Sequence, residues 1–103
     1  MTPLAICCSL GPLLAQRDSA GLSLSRRGGT GPWLAMWAVN LRGDPLCWAS
    51  ATSPEAAIEG LADALVRRGK LRAIEMVAGD EDDRDLGREI LAALSEATQE
   101  RAA

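Results

Sequence analysis

The side chains best suited to covalent chemistry in this sequence are three cysteines, Cys7, Cys8 and Cys47, and one lysine, Lys70. A thiol attacks as thiolate and needs a base or cation beside it to become one. The chain contains no histidine, so no imidazole can take that proton and no Ser-His-Asp arrangement can be built. A serine–lysine pair would depend on Lys70 alone. Cysteine within an apolar run, as at Cys7 and Cys8, ordinarily acts as a small core residue. An odd count with an adjacent pair is not a disulfide framework, and a reduced, cytoplasmic setting is the expectation. The chain is therefore expected to carry no catalytic residues and not to be an enzyme.

Metal and phosphate chemistry fare no better. Zinc sites need Cys and His at set spacings, which Cys7-Cys8 does not offer. The acidic run 79–85 (GDEDDRD) lacks the alternating ligands, central glycine and final glutamate spacing of a calcium loop. Negative charge at the start of a helix explains it more simply. The glycine-rich segment 27–31 (RGGTG) lacks the Lys-Ser/Thr and following helix of a phosphate loop and reads as a hairpin loop. No metal and no cofactor are expected.

Charge and aromatic placement leave macromolecular binding. The net charge is −3, but residues 1–53 carry +2 and residues 54–103 carry −5. The acidic second half weighs against direct nucleic-acid binding and suits a partner with a basic surface. Asp80, Glu81, Asp82, Asp83, Asp85 and Glu89 are the candidate acidic contacts. The cluster Arg67, Arg68, Lys70 and Arg72, with Arg26 and Arg27 as further members, is the alternative. It could touch RNA or an acidic protein, although solvated charge at a helix end is the simpler account. The aromatic residues are Trp33, Trp37 and Trp48 alone, and tryptophan is enriched in interface hot spots.

The elements that must position these residues follow from periodicity and punctuation. Residues 4–10 (LAICCSL), bounded by Pro3 and Gly11-Pro12, read as a short buried strand, with helix left open. A signal-peptide core is the lesser alternative for residues 4–15, which lack a basic flank, are interrupted by Pro12 and are too short to span a bilayer. Residues 22–26 (LSLSR) alternate, with Leu22 and Leu24 toward the core. Residues 33–41 (WLAMWAVNL) are apolar on both faces, with Trp33, Ala35, Trp37, Val39 and Leu41 on one and Leu34, Met36 and Ala38 on the other. After a turn at Arg42-Gly43-Asp44-Pro45, residues 46–51 return as a strand that sets Trp48 beside Trp37 or Trp33.

Ser53 then caps a helix with Pro54 at its first position. Ile58, Leu61, Ala62, Leu65 and Val66 form its apolar stripe, and Gly69 is the expected stop. Residues 71–78 (LRAIEMVA) read as a strand with Ile74 and Met76 on one face. A second helix opens in the acidic run, with Leu86, Ile90, Ala93, Leu94 and Ala97 as its stripe. The expectation is one α+β domain over residues 1–103: a small antiparallel sheet of about three to five strands packed by two helices. The order is β-β-β-β-α-β-α. Either helices cover both faces of the tryptophan-bearing sheet, or one face binds a partner or a second copy of the chain.

Residues 33–66 carry Leu41-Arg42-Gly43 at a strand end and Thr52-Ser53-Pro54-Glu55-Ala56-Ala57 at a helix start. In this the segment resembles the N-terminal domain of HicB-type antitoxins. The resemblance implies a β-β-β-α-β domain that neutralises a partner by binding it, without the family's C-terminal DNA-binding segment. The expected function is that of a small inhibitor, of the antitoxin or anti-CRISPR kind encoded by phages and mobile elements. It would occupy a protein or ribonucleoprotein surface, with no membrane involved. A nucleic-acid-binding regulator acting through the basic cluster is the alternative.

Overall fold

The tryptophan-bearing segment, apolar on both faces, forms the central strand of a sheet that has three strands among the described residues. The computed structural model describes residues 2–15, 21–26, 28–38, 45–77 and 79–102, without the side chains of Val77, Asp82 and residues 98–102. The elements in order are α1 (Pro3–Ala15), β1 (Gly21–Arg26), β2 (Trp33–Ala38), β3 (Pro45–Ala51), α2 (Pro54–Val77) and α3 (Glu81–Ala102). The sheet is antiparallel in the order β1-β2-β3. Gly28 and Gly29 take φ of 61° and 75° in the β1–β2 turn, a left-handed conformation that glycine adopts without Cβ strain. Arg26 holds that turn from one side: its Nε donates to the Gly31 carbonyl at 3.1 Å and its guanidinium lies 5.4 Å from the Trp33 ring centroid. Arg27, Val39, Leu41 and the turn residues Arg42, Gly43 and Asp44 lie outside the described residues.

The three expected hairpin strands, the capped helix and the acidic-start helix all form, and the α+β class holds. The order does not. Two of the five expected strands are helical, and among the described residues three helices pack where two were expected.

Residues 4–10 belong to α1. Thr2 caps it, its Oγ1 accepting from the Ala5 amide at 3.2 Å, and Pro3 occupies the first helical position. This is the same signal as Ser53-Pro54, where Ser53 Oγ accepts from the Ala56 amide at 3.1 Å. Ile6, Cys7, Leu10 and Gly11 are buried at helical spacing. Gly11 does not punctuate: the Trp37 indole packs where its Cβ would stand.

Residues 71–77 continue α2. Gly69 inside a helix costs about 1 kcal/mol relative to alanine, but here the missing side chain admits α3. A Cβ at Gly69 would lie 3.3 Å from Leu94 Cδ2 and 3.6 Å from Ile90 Cγ2. Helical winding separates the pair expected on one strand face: Met76 is buried and Ile74 is exposed. The final strand implied by the β-β-β-α-β resemblance is therefore helix.

The core lies between one face of the sheet and the helices. Trp37 and Ala35 of β2 meet Ile6 and Leu10 of α1 and Leu61 and Leu65 of α2, and Ile90 and Leu94 of α3 close the far side of α2. Among the described residues no helix is long and apolar enough to cross a membrane.

Candidate functional site

Directly opposed residues of an antiparallel ladder share a face, so the register sorts every strand residue. Leu22 opposes Trp37 and Leu24 opposes Ala35 across β1–β2. Trp33, Ala35 and Trp37 oppose Ala51, Ala49 and Cys47 across β2–β3. These make the helix-facing side, though Leu24 at the sheet edge remains 39% exposed. The other side carries Ser23 and Ser25, Leu34 and Met36, and Trp48 and Ser50.

None of Leu34, Met36 and Trp48 packs against the core cluster. Trp48 opposes Met36 and is 61% exposed. It is thus not the neighbour of Trp37 or Trp33 that alternation suggested, because it stands one residue out of phase with them. The three tryptophans form no common surface. Trp37 is core, Trp33 is half-buried under Arg26, and Trp48 alone faces out. Beside Trp48 lies a hollow of about 310 Å³ lined by Ser25, Arg26, Pro32, Leu34 and Ser50.

The acidic candidates stand elsewhere. Asp80, Glu81, Asp83, Asp85 and Glu89 are exposed at the start of α3, and the Asp82 side chain is outside the described residues. Asp85 pairs with Arg88 at 3.3 Å, and Arg84 Nε donates to the Gly79 carbonyl at 3.1 Å. α2 rises about 24 Å between Gly60, against the sheet, and Met76, beside the start of α3. The tertiary structure therefore separates the acidic residues from Trp48.

Arg67, Arg68, Lys70 and Arg72 are all exposed on the second half of α2. Arg72 pairs with Glu75 at 3.2 Å. Arg68, Leu71, Arg72 and Glu75 line, with Leu14 of α1, a second hollow of about 410 Å³. Leu71 and Ile74 are exposed on the same stretch of helix. A strand reading of residues 71–78 hid this pair. The signal that could have found it is the three- and four-residue spacing of apolar positions running on through Gly69.

The cysteines are unpaired, and they differ. Cys7 is buried, and its Sγ donates to the Ile58 carbonyl at 3.9 Å. Burial, and then the neighbouring Cys8, pushes its thiol up to about 12. Burial also raises the Cys47 thiol, against the lowering influence of Arg68 and Arg67. Cys8 is exposed. The described residues hold no cluster of three or more metal-ligating side chains. Comparison of the chain with protein-family models, with curated proteins and with solved structures finds no match.

Proposed function

We propose that this chain is a non-enzymatic binding protein that blocks a macromolecular partner, which docks around Trp48 on the sheet face that no described element covers. One observation carries this reading: Trp48 stays exposed beside Met36 and Leu34 while the helical layer packs on the opposite face. Burying that indole on association is favourable, and Trp and Met are enriched at interface centres. The indole N–H seeks an acceptor when buried, which a partner carbonyl supplies.

Area selects the kind of partner. Three strands spaced about 4.8 Å apart and about 20 Å long give a footprint on the order of 300 Å². A stable interface needs about 800 Å² per partner. A flat pairing of two copies through this face alone falls short, whereas an inserted loop or segment of a larger protein fills the hollow and finds its remaining area around the rim. The acidic start of α3 then steers a basic partner toward the molecule without lying in the docking face. The Cys7 thiol, buried and pushed up by that burial, is a poor nucleophile. An inhibitor of the antitoxin or anti-CRISPR kind is the specific form of this proposal.

A photo-crosslinking amino acid at position 48 tests it in extract from the chain's own source. One discrete adduct is expected. Excess wild-type chain should compete it away, whereas excess Trp48→Ala chain, equally folded by circular dichroism, should not. Equal competition by the two chains would reject the docking face.

A further inference from the structure

The side of α2 that meets the sheet continues past the point where the sheet ends. Ala57, Gly60 and Ala64 recur at three- and four-residue spacing, and a Cβ on Gly60 would lie 2.9 Å from the Ala49 methyl. The same spacing next reaches Arg67, Leu71 and Ile74. There the opposite side of the helix, Gly69, Ala73 and Met76, is buried. Leu71 and Ile74 are 68% and 72% exposed. They stand one turn apart, so they form a continuous aliphatic strip in place of scattered single residues.

Cations frame that strip. Among the described residues Arg72 has Glu75 as an ion-pair partner, and Arg67, Arg68 and Lys70 have none. Beside the strip, Leu14 and Leu71 supply apolar walls to the hollow of about 410 Å³, whose lining also carries Arg68, Arg72 and the Arg72-paired Glu75. The two arginines are four residues apart, the spacing that puts two side chains on one helix face.

From this charge complementarity we infer that the second half of α2 and the end of α1 dock an acidic, aliphatic-bearing segment of a protein. An apolar side chain of the segment enters between Leu14 and Leu71, and its carboxylates meet Arg68 and Arg72 in charge-assisted hydrogen bonds. A nucleic-acid backbone matches less well, because it brings no apolar surface to Leu71 and Ile74. An anionic membrane also matches less well, because the site is concave and offers only two aliphatic side chains for insertion. The surface is separate from the face around Trp48, and the inference does not depend on the reading of that face.

Selection of a random peptide library displayed on phage against the intact chain tests it. The enriched peptides should combine acidic and large aliphatic residues. Their amide-shift footprint on the isotope-labelled wild-type chain should centre on Leu14, Arg68, Leu71 and Arg72, a readout that needs no variant. Arg68→Glu with Arg72→Glu should weaken binding by roughly tenfold or more, Leu71→Ser should weaken it by several-fold, and Trp48→Ala should leave it unchanged. A uridine oligomer and phosphatidylserine-containing vesicles, titrated in parallel, should bind more weakly than the peptides. Enrichment of neutral or basic peptides, indifference to the double charge reversal, or tighter binding of the oligomer or vesicles would overturn the inference.

Discussion

Trp37 and Trp48 occupy adjacent antiparallel strands, yet one is core and the other is surface. Trp37 is opposed by Cys47, and Trp48 is the next residue along. Side chains alternate with a period of two, so that single step sends the second indole to the opposite face. The helix-facing side then gathers Ile6, Leu10, Leu61 and Leu65 around Trp37, while the other side offers Met36 and Leu34 to Trp48 and no covering element among the described residues. The lesson is that residue type sets what a side chain can contribute, and register sets whether stability or recognition receives it.

Trp37→Ala should cost about 3–5 kcal/mol of unfolding free energy in urea titration, the range for large aromatic truncations in cores. A loss comparable to that of a surface change would mean the helices do not pack on this side.

Gly11 sharpens the same point. Gly11→Val should cost about 1–3 kcal/mol or more, because the new side chain must displace the Trp37 indole. In a Trp37→Leu background much of that cost should vanish, giving a measurable coupling in a double-mutant cycle. Additive losses would show that the indole and α1 do not meet.

Cys7 lies in the same covered layer, and its thiol is raised from the usual 9.0 to about 12. A thiol whose folded value exceeds its unfolded value favours folding below the unfolded value, and that contribution is lost as pH rises toward the folded one. Between about pH 9 and pH 12 the wild-type melting temperature should therefore fall more steeply than that of Cys7→Val. Parallel curves would place Cys7 in contact with water. The neighbouring exposed Cys8 should react with a thiol reagent in the native state, and Cys7 only after unfolding.

Two smaller effects complete the series. Ser53→Ala should cost about 1 kcal/mol through loss of the α2 cap. Trp48→Ala should change stability by no more than about 0.5 kcal/mol, as for a surface substitution free of special contacts, while abolishing competition in the crosslinking assay. A large loss of stability at Trp48 would transfer that residue from recognition to the core.

Much of this was legible without coordinates. Alternation located β1, the two-faced apolar run and the turn after it located β2 and β3, and the Ser53-Pro54 start and apolar stripe located α2. The acidic run followed by Leu86, Ile90 and Leu94 located α3. Trp48 was already among the candidate contacts, but its grouping with Trp33 and Trp37 dissolved once register was known. Leu71 and Ile74 were not legible as a surface pair, because a strand reading placed Ile74 beside Met76 and ended the helix at Gly69.

What the sequence alone determined is therefore local or compositional: the missing imidazole, the acidic second half, the alternating strands and the capped helix starts. These depend on residue type and on neighbours within a few positions. Tertiary structure decided the roles of the glycines and the fate of each face. Gly11 and Gly69 look like stops until a tryptophan ring and a neighbouring helix occupy the space their side chains lack. A local signal is read from adjacent residues, whereas a glycine at a close approach is explained by atoms distant in the chain, and only the packed fold brings those atoms together.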